Sequence, residues 1–186
     1  MRRRALLALP LSLALGSSLA RAAPFLADLR AGRAALVLRH PAPRGDGRRA
    51  GVSSDDCPGQ GSLTERGRAQ ALAWGEALRT LGLAGATVLT SGWCGCRETA
   101  ELLDLGPIAH HPALDPFGPD RAREAEQTAA LRALLRAWRG GALVLVTHLE
   151  TISALTGFAP GPGVAVVVRT GERAGEVVAS IDPPPV

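Results

Sequence analysis

Two histidines each close an apolar run in this chain. Ala34-Ala35-Leu36-Val37-Leu38 leads into Arg39-His40-Pro41, and Ala142-Leu143-Val144-Leu145-Val146 leads into Thr147-His148. Each run reads as a short strand buried on both faces of a parallel sheet, and Pro41 ends the first. Strands of an open α/β sheet deliver their last residues to the crevice beyond the carboxyl edge, where ligands bind. Histidines and an arginine delivered there suit phosphoryl transfer to imidazole. One neutral histidine attacks phosphorus, a guanidinium grips phosphate oxygens in a fork, and the second histidine donates a proton to the developing charge. No metal or cofactor is needed when the protein supplies the positive charge. Taken singly, Arg39-His40 and His148 fit a salt-bridged arginine and backbone-bonded histidines just as well; the pair of strand ends is what points to chemistry.

The elements between them alternate. Residues 24–33 form a helical lead-in to strand 34–39, and residues 41–61 hold three prolines and five glycines with almost no apolar periodicity. A long loop beside a strand terminus is more often functional than accidental. Ser62-Leu63-Thr64-Glu65 reads as a capping box opening an amphipathic helix through Leu81, closed by Gly82. A strand over 86–90, a helix over 93–103, a brief strand over 108–111 and a helix over 120–138 follow. After strand 142–147, a short helix spans 151–155. Residues 164–169 and 176–181 read as an antiparallel hairpin across Gly171-Glu172-Arg173. This alternation predicts a three-layer α/β/α sandwich with a mostly parallel sheet and an antiparallel C-terminal hairpin at its edge.

The N-terminus reads as a leader. Arg2-Arg3-Arg4 precedes an uncharged apolar run from Ala5 to Ala20, and Ala20-Arg21-Ala22 has the small-x-small pattern of a cleavage site. The expected division is a signal peptide over 1–22, one domain over 23–186 and an unstructured tail over 183–186. An uncleaved anchor is the lesser reading, since Pro10 and Gly16 interrupt a run already short for a membrane span. The chain has 21 Lys+Arg and 17 Asp+Glu, and losing Arg2, Arg3, Arg4 and Arg21 leaves 17 of each sign. A neutral mature chain with few aromatics gives nucleic-acid binding no electrostatic support. The destination expected is periplasmic or secreted, with no stable membrane span after cleavage.

In order and spacing, four segments together resemble the histidine phosphatase superfamily, the phosphoglycerate-mutase-like fold. They are Leu38-Arg39-His40, Leu63-Thr64-Glu65-Arg66-Gly67-Arg68-Ala69-Gln70-Ala71, Ser91 with Arg97-Glu98-Thr99-Ala100, and Val146-Thr147-His148. The resemblance implies that His40 is the phosphorylated nucleophile, that Arg39 binds the phosphoryl group and that His148 completes the pocket. The family's general acid sits on the loop after the third strand, which makes Asp115 the candidate here and Glu124 the second. Glu150 reads as a helix cap. Two positions depart from the family pattern. Pro41 stands where relatives carry glycine, and Gly95 stands where the second arginine belongs. Arg97 lies about 200° further round a helix and reaches a phosphate only if that turn is irregular.

The expectation is therefore an exported phosphomonoesterase, a phosphoric monoester hydrolase of the histidine acid phosphatase type, acting through a phosphohistidine on His40. Arg97 and Arg44 are candidates for substrate binding. The substrate class is a phosphorylated small molecule or a cell-envelope phosphate ester. The alternative, prompted by Gly95, is a degenerate relative that binds a phosphorylated or anionic ligand without hydrolysing it. Cys57, Cys94 and Cys96 are disulfide candidates, with Cys57 joined to Cys94 or to Cys96, so that the long loop is pinned to the helix. A thiol-redox or metal protein built on Cys94 and Cys96 is a third class, for which two thiolates without partners are too few ligands.

Overall fold

A computed structural model describes residues 23–43, Cys57 and residues 62–186. The leader and Arg44 lie outside the described residues. Eleven principal elements alternate: α1 (Ala23–Arg30), β1 (Ala34–Arg39), α2 (Glu65–Thr80), β2 (Thr87–Thr90), α3 (Cys94–Leu103), β3 (Ile108–His110), α4 (Arg121–Ala137), β4 (Leu143–Thr147), α5 (Leu149–Thr156), β5 (Ala165–Arg169) and β6 (Val177–Ile181). The six strands form one sheet in the order β3-β2-β4-β1-β5-β6. β3, β2, β4 and β1 run parallel, whereas β5 is antiparallel to β1 and β6 to β5. The predicted sandwich with its edge hairpin is the observed architecture.

Alternation along the strands builds two cores. Leu36 and Leu38 of β1 join Val144 and Val146 of β4 on one face, against Trp74 and Leu78 of α2 and Ala100 and Leu103 of α3. Ala35 and Val37 join Leu143 and Leu145 on the other, against Leu131 and Leu135 of α4 and Ile152 and Leu155 of α5. Ala34 to Leu38 are fully buried, so neither face of β1 tolerates a polar side chain. That is why the run reads as continuous rather than alternating apolar sequence.

Three local expectations shift. The N-cap of α2 is Thr64, whose side chain accepts the Gly67 N–H, rather than Ser62. Both serve the same chemistry, but Thr64 is also bound to the chain beyond His40, its N–H donating to the Ala42 carbonyl at 3.1 Å. Helix α5 begins at Leu149 with His148 as N-cap, two residues earlier than periodicity indicates. β3 is exposed along its length, as an edge strand of three residues must be when one side has no neighbour.

Candidate active site

Parallel pairing of β1 with β4 sets Arg39 beside Thr147, so the next residues, His40 and His148, leave the sheet side by side. The His40 N–H donates to the Thr147 carbonyl at 3.1 Å. The two imidazoles meet edge to face with centroids 5.2 Å apart. On the other side of β4, Thr90 of β2 pairs with Val146, and the Ser91 N–H donates to the Val146 carbonyl at 3.0 Å. Three adjacent strand ends thus set down His40, His148 and Ser91 in a row at the carboxyl edge.

His40 has the tautomer that a nucleophile needs. Its Nδ1 lies 2.7 Å from the Pro41 carbonyl oxygen. A carbonyl only accepts, so Nδ1 carries the proton and the lone pair is on Nε2. Burial pushes the His40 pKa down and the neighbouring Arg39 charge adds to this, against the Pro41 carbonyl, which supports the charged form. The ring is neutral near neutral pH. Arg39 donates through Nη1 to the Pro160 carbonyl at 2.7 Å, which ties it to the loop between α5 and β5.

His148 sits in a chain of contacts that local sequence does not reveal. Its Nε2 is 2.9 Å from the Ser91 hydroxyl and 3.5 Å from the Cys96 sulfur. Ser91 is fully buried and its Oγ donates to Asp115 Oδ1 at 2.9 Å. Having given its one proton to the carboxylate, the hydroxyl accepts from His148, so the proton of that ring is on Nε2. Asp115 Oδ1 also accepts the Gly92 N–H at 2.7 Å, and Oδ2 lies 3.0 Å from His110 Nε2. Asp115 is therefore placed behind Ser91, two links from His148 and three from His40, where it holds His148 through the serine. His110 and His111 do not converge: His110 meets Asp115, and His111 Nδ1 accepts the Ala113 N–H. Glu124 pairs with Arg121. Glu150, in the first turn of α5, accepts the Gly118 N–H from the loop before α4.

Among the described residues, neither position 95 nor Arg97 supplies the second arginine of the expected clamp. Helix α3 is regular from Cys94 onward, so the irregular turn that Arg97 requires is absent. Its guanidinium lies instead on a disulfide, 2.9 Å from the Cys57 sulfur and 3.4 Å from the Cys94 sulfur. The bridge joins Cys57 to Cys94, with Cα atoms 5.4 Å apart, which resolves the open pairing. Position 95 faces the histidine: a Cβ there would sit 3.5 Å from His40 Nδ1. Cys96 is fully buried and unbridged, and burial, with the Asp115 charge second to it, pushes its thiol pKa well up. Ser91 and Cys96 are the pocket residues that sequence reasoning passed over. Ser91 was visible as a strand end like the histidines.

Among solved structures, 107 chains match this fold. The protein histidine phosphatase SixA complexed with tungstate is 18% identical, with a TM-score of 0.59 over 80% of this chain and 96% of that one. The chain has the histidine phosphatase fold. The Mycobacterium tuberculosis open reading frame Rv3214 matches at 18% identity and a TM-score of 0.62, over 81% of this chain and 98% of that one. The mycobacterial glucosyl-3-phosphoglycerate phosphatase Rv2419c matches at 17% and 0.52, over 82% and 96%. No protein-family model matches the chain, and no curated protein matches it. The likeness is one of fold, with the two strand-end histidines of this chain at the carboxyl edge of its sheet.

Proposed function

We propose that this chain is an exported phosphomonoesterase whose nucleophile is His40. The observation that carries the reading is the pair of imidazoles at 5.2 Å, one with a free lone pair on Nε2 and the other with its proton there. In the first step the His40 Nε2 lone pair attacks phosphorus, the bond to the ester oxygen breaks, and the leaving alkoxide takes a proton from solvent water to become the alcohol. Arg39, and the His148 Nε2–H once it turns from the Ser91 hydroxyl, stabilise the transferred phosphoryl oxygens. Water then cleaves the phosphohistidine and releases phosphate. Asp115 acts as a positioning residue through Ser91 rather than as the proton donor, and Arg97 as an anchor on the disulfide. SixA, a protein histidine phosphatase of this fold, holds tungstate, a phosphate-like oxyanion.

Export is supported by the Cys57–Cys94 bridge, since such bonds persist in oxidising compartments. Among the described residues no helix is long and apolar enough to cross a membrane. Residues 23–186 form the mature domain in this reading, after a leader over 1–22. The substrate is a phosphorylated small molecule or an envelope phosphate ester. The test is turnover of an aryl phosphate with trapping of 32P on histidine. The expected result is labelling that disappears in His40→Ala; a wild-type protein that neither turns over nor labels overturns the reading.

A second reading rests on position 95. With glycine there and Arg97 turned away, the described residues offer one fewer cation than a full clamp, which favours a module that binds an anion and hydrolyses it slowly or not at all. Gly95→Arg separates the two, as argued below.

A further inference from the structure

The donor set in the pocket is unusual for a site meant only for an oxyanion. His40, His148 and Cys96 each offer one ligand atom, and these atoms lie within 4.8 Å of one another. All three come from rigid positions: two strand ends and the first turn of α3. We propose that these three side chains form a zinc site, occupied in competition with phosphate.

The spacing of the His148–Cys96 pair supports it. A tetrahedral zinc ion with bonds of about 2.3 Å to sulfur and 2.0–2.1 Å to nitrogen holds those two donors about 3.6 Å apart. His148 Nε2 and Cys96 Sγ are already 3.5 Å apart. His40 donates its Nδ1 proton to the Pro41 carbonyl, the backbone partnership that fixes the ring of a metal-bound histidine and leaves Nε2 for the ion. Three protein ligands leave a fourth position for water or an anion, the pattern of an open zinc site.

The charge balance points the same way. Gly95 places no guanidinium beside His40, and Arg97 is held on the disulfide. Among the described residues Arg39 is the guanidinium whose charge acts on His40, so a dication here meets the repulsion of one arginine rather than two. Binding converts the Cys96 thiol to thiolate, its proton leaving to solvent, because a dication at bonding distance deprotonates a ligating thiol. The His148 ring moves its proton to Nδ1 and gives up the Ser91 contact. His40 cannot hold zinc and attack phosphorus with the same lone pair, so the two states exclude each other.

The test uses the oxidised protein without substrate. Cobalt(II) is added as a spectroscopic stand-in, then displaced by zinc in competition with a chromophoric chelator. The expected result is one ion per chain, a thiolate-to-cobalt charge-transfer band in the near ultraviolet, and loss of that band in Cys96→Ser. His40→Ala, one residue beyond the end of β1, tests the site without touching the core, and its zinc affinity should fall at least about 100-fold. Vanadate and zinc should displace one another. Absence of the band, or equal affinity in wild type, Cys96→Ser and His40→Ala, overturns the proposal. Phosphohistidine labelling of metal-free protein is scored separately, so a failed zinc site and a failed phosphatase reading give different results.

Discussion

In the proposed phosphatase, position 95 sets how strongly the phosphoryl group is held. The glycine sits in the first turn of α3 with its missing Cβ aimed at His40, at ordinary contact distance from Nδ1. A Cβ there needs no backbone shift, and an arginine built on it starts beside His40. Losing one preorganised donor to a developing oxyanion costs on the order of 10²–10³ in kcat. Gly95→Arg is therefore expected to raise aryl phosphatase kcat by roughly 100-fold, read by steady-state kinetics on the wild type and variant together. A loss of rate instead would mean that the space is needed by something else, zinc included. His40 sets a second expectation at this scale. Burial and Arg39 hold its pKa below the ordinary imidazole value, so the neutral nucleophile persists as pH falls. The acid limb of kcat/KM for an aryl phosphate is expected below about 6.5, and a limb above that value would contradict a buried neutral His40.

At the scale of elements, the motif at the start of α2 serves to hold the chain that leaves His40. Gly67 lies against that segment: a Cβ on it would meet the Ala42 carbonyl oxygen at 2.8 Å. Glu98 of α3 completes the joint, accepting the Leu63 N–H at 2.8 Å and pairing with Arg68 of α2. Gly67→Ala is expected to push residues 41–43 away and lower activity more than stability, since the strain falls on the segment carrying the Pro41 carbonyl that orients His40. Comparison of kcat/KM with the urea midpoint checks this. The disulfide acts on a longer range. It closes a separation of 37 residues, for which the loop-entropy model gives about 4 kcal/mol. Cys57→Ser should lower the unfolding free energy by that order, and it also frees Arg97 from one of its two sulfur contacts.

For the whole molecule, protonation of buried imidazoles sets the acid side of stability. The pKa values of His40 and His111 are both lowered, chiefly by burial, so the unfolded chain binds more protons than the folded one below the ordinary imidazole value. Their contribution is full above about pH 6.5 and is lost as pH falls from there through the lowered values. Urea midpoints measured across that window should decline with falling pH, and a flat profile would show that these rings are solvated. The oxidised molecule should also yield one alkylatable thiol, and only after denaturation, because Cys96 is fully buried; three thiols would exclude the bridge.

What the sequence determined alone is what depends on near neighbours and on burial in bulk. Continuous apolar runs marked β1 and β4 as buried on both faces, helical periodicity marked α2 and α4, and the order of elements was enough for the layered sheet. His40 and His148 stood out because a strand end has a known destination. Tertiary structure decided everything that depends on register between distant strands. Pairing of Arg39 with Thr147 and of Thr90 with Val146 brings Ser91 to His148, moves Asp115 behind it, and turns Cys96 inward while Arg97 goes to the disulfide. Residues 95, 96 and 97 are adjacent in the chain, yet one faces the nucleophile, one lines the pocket and one lies on the bridge. A helix spreads successive side chains by about 100° each, and only the packing of α3 against the sheet says which of those directions is the site.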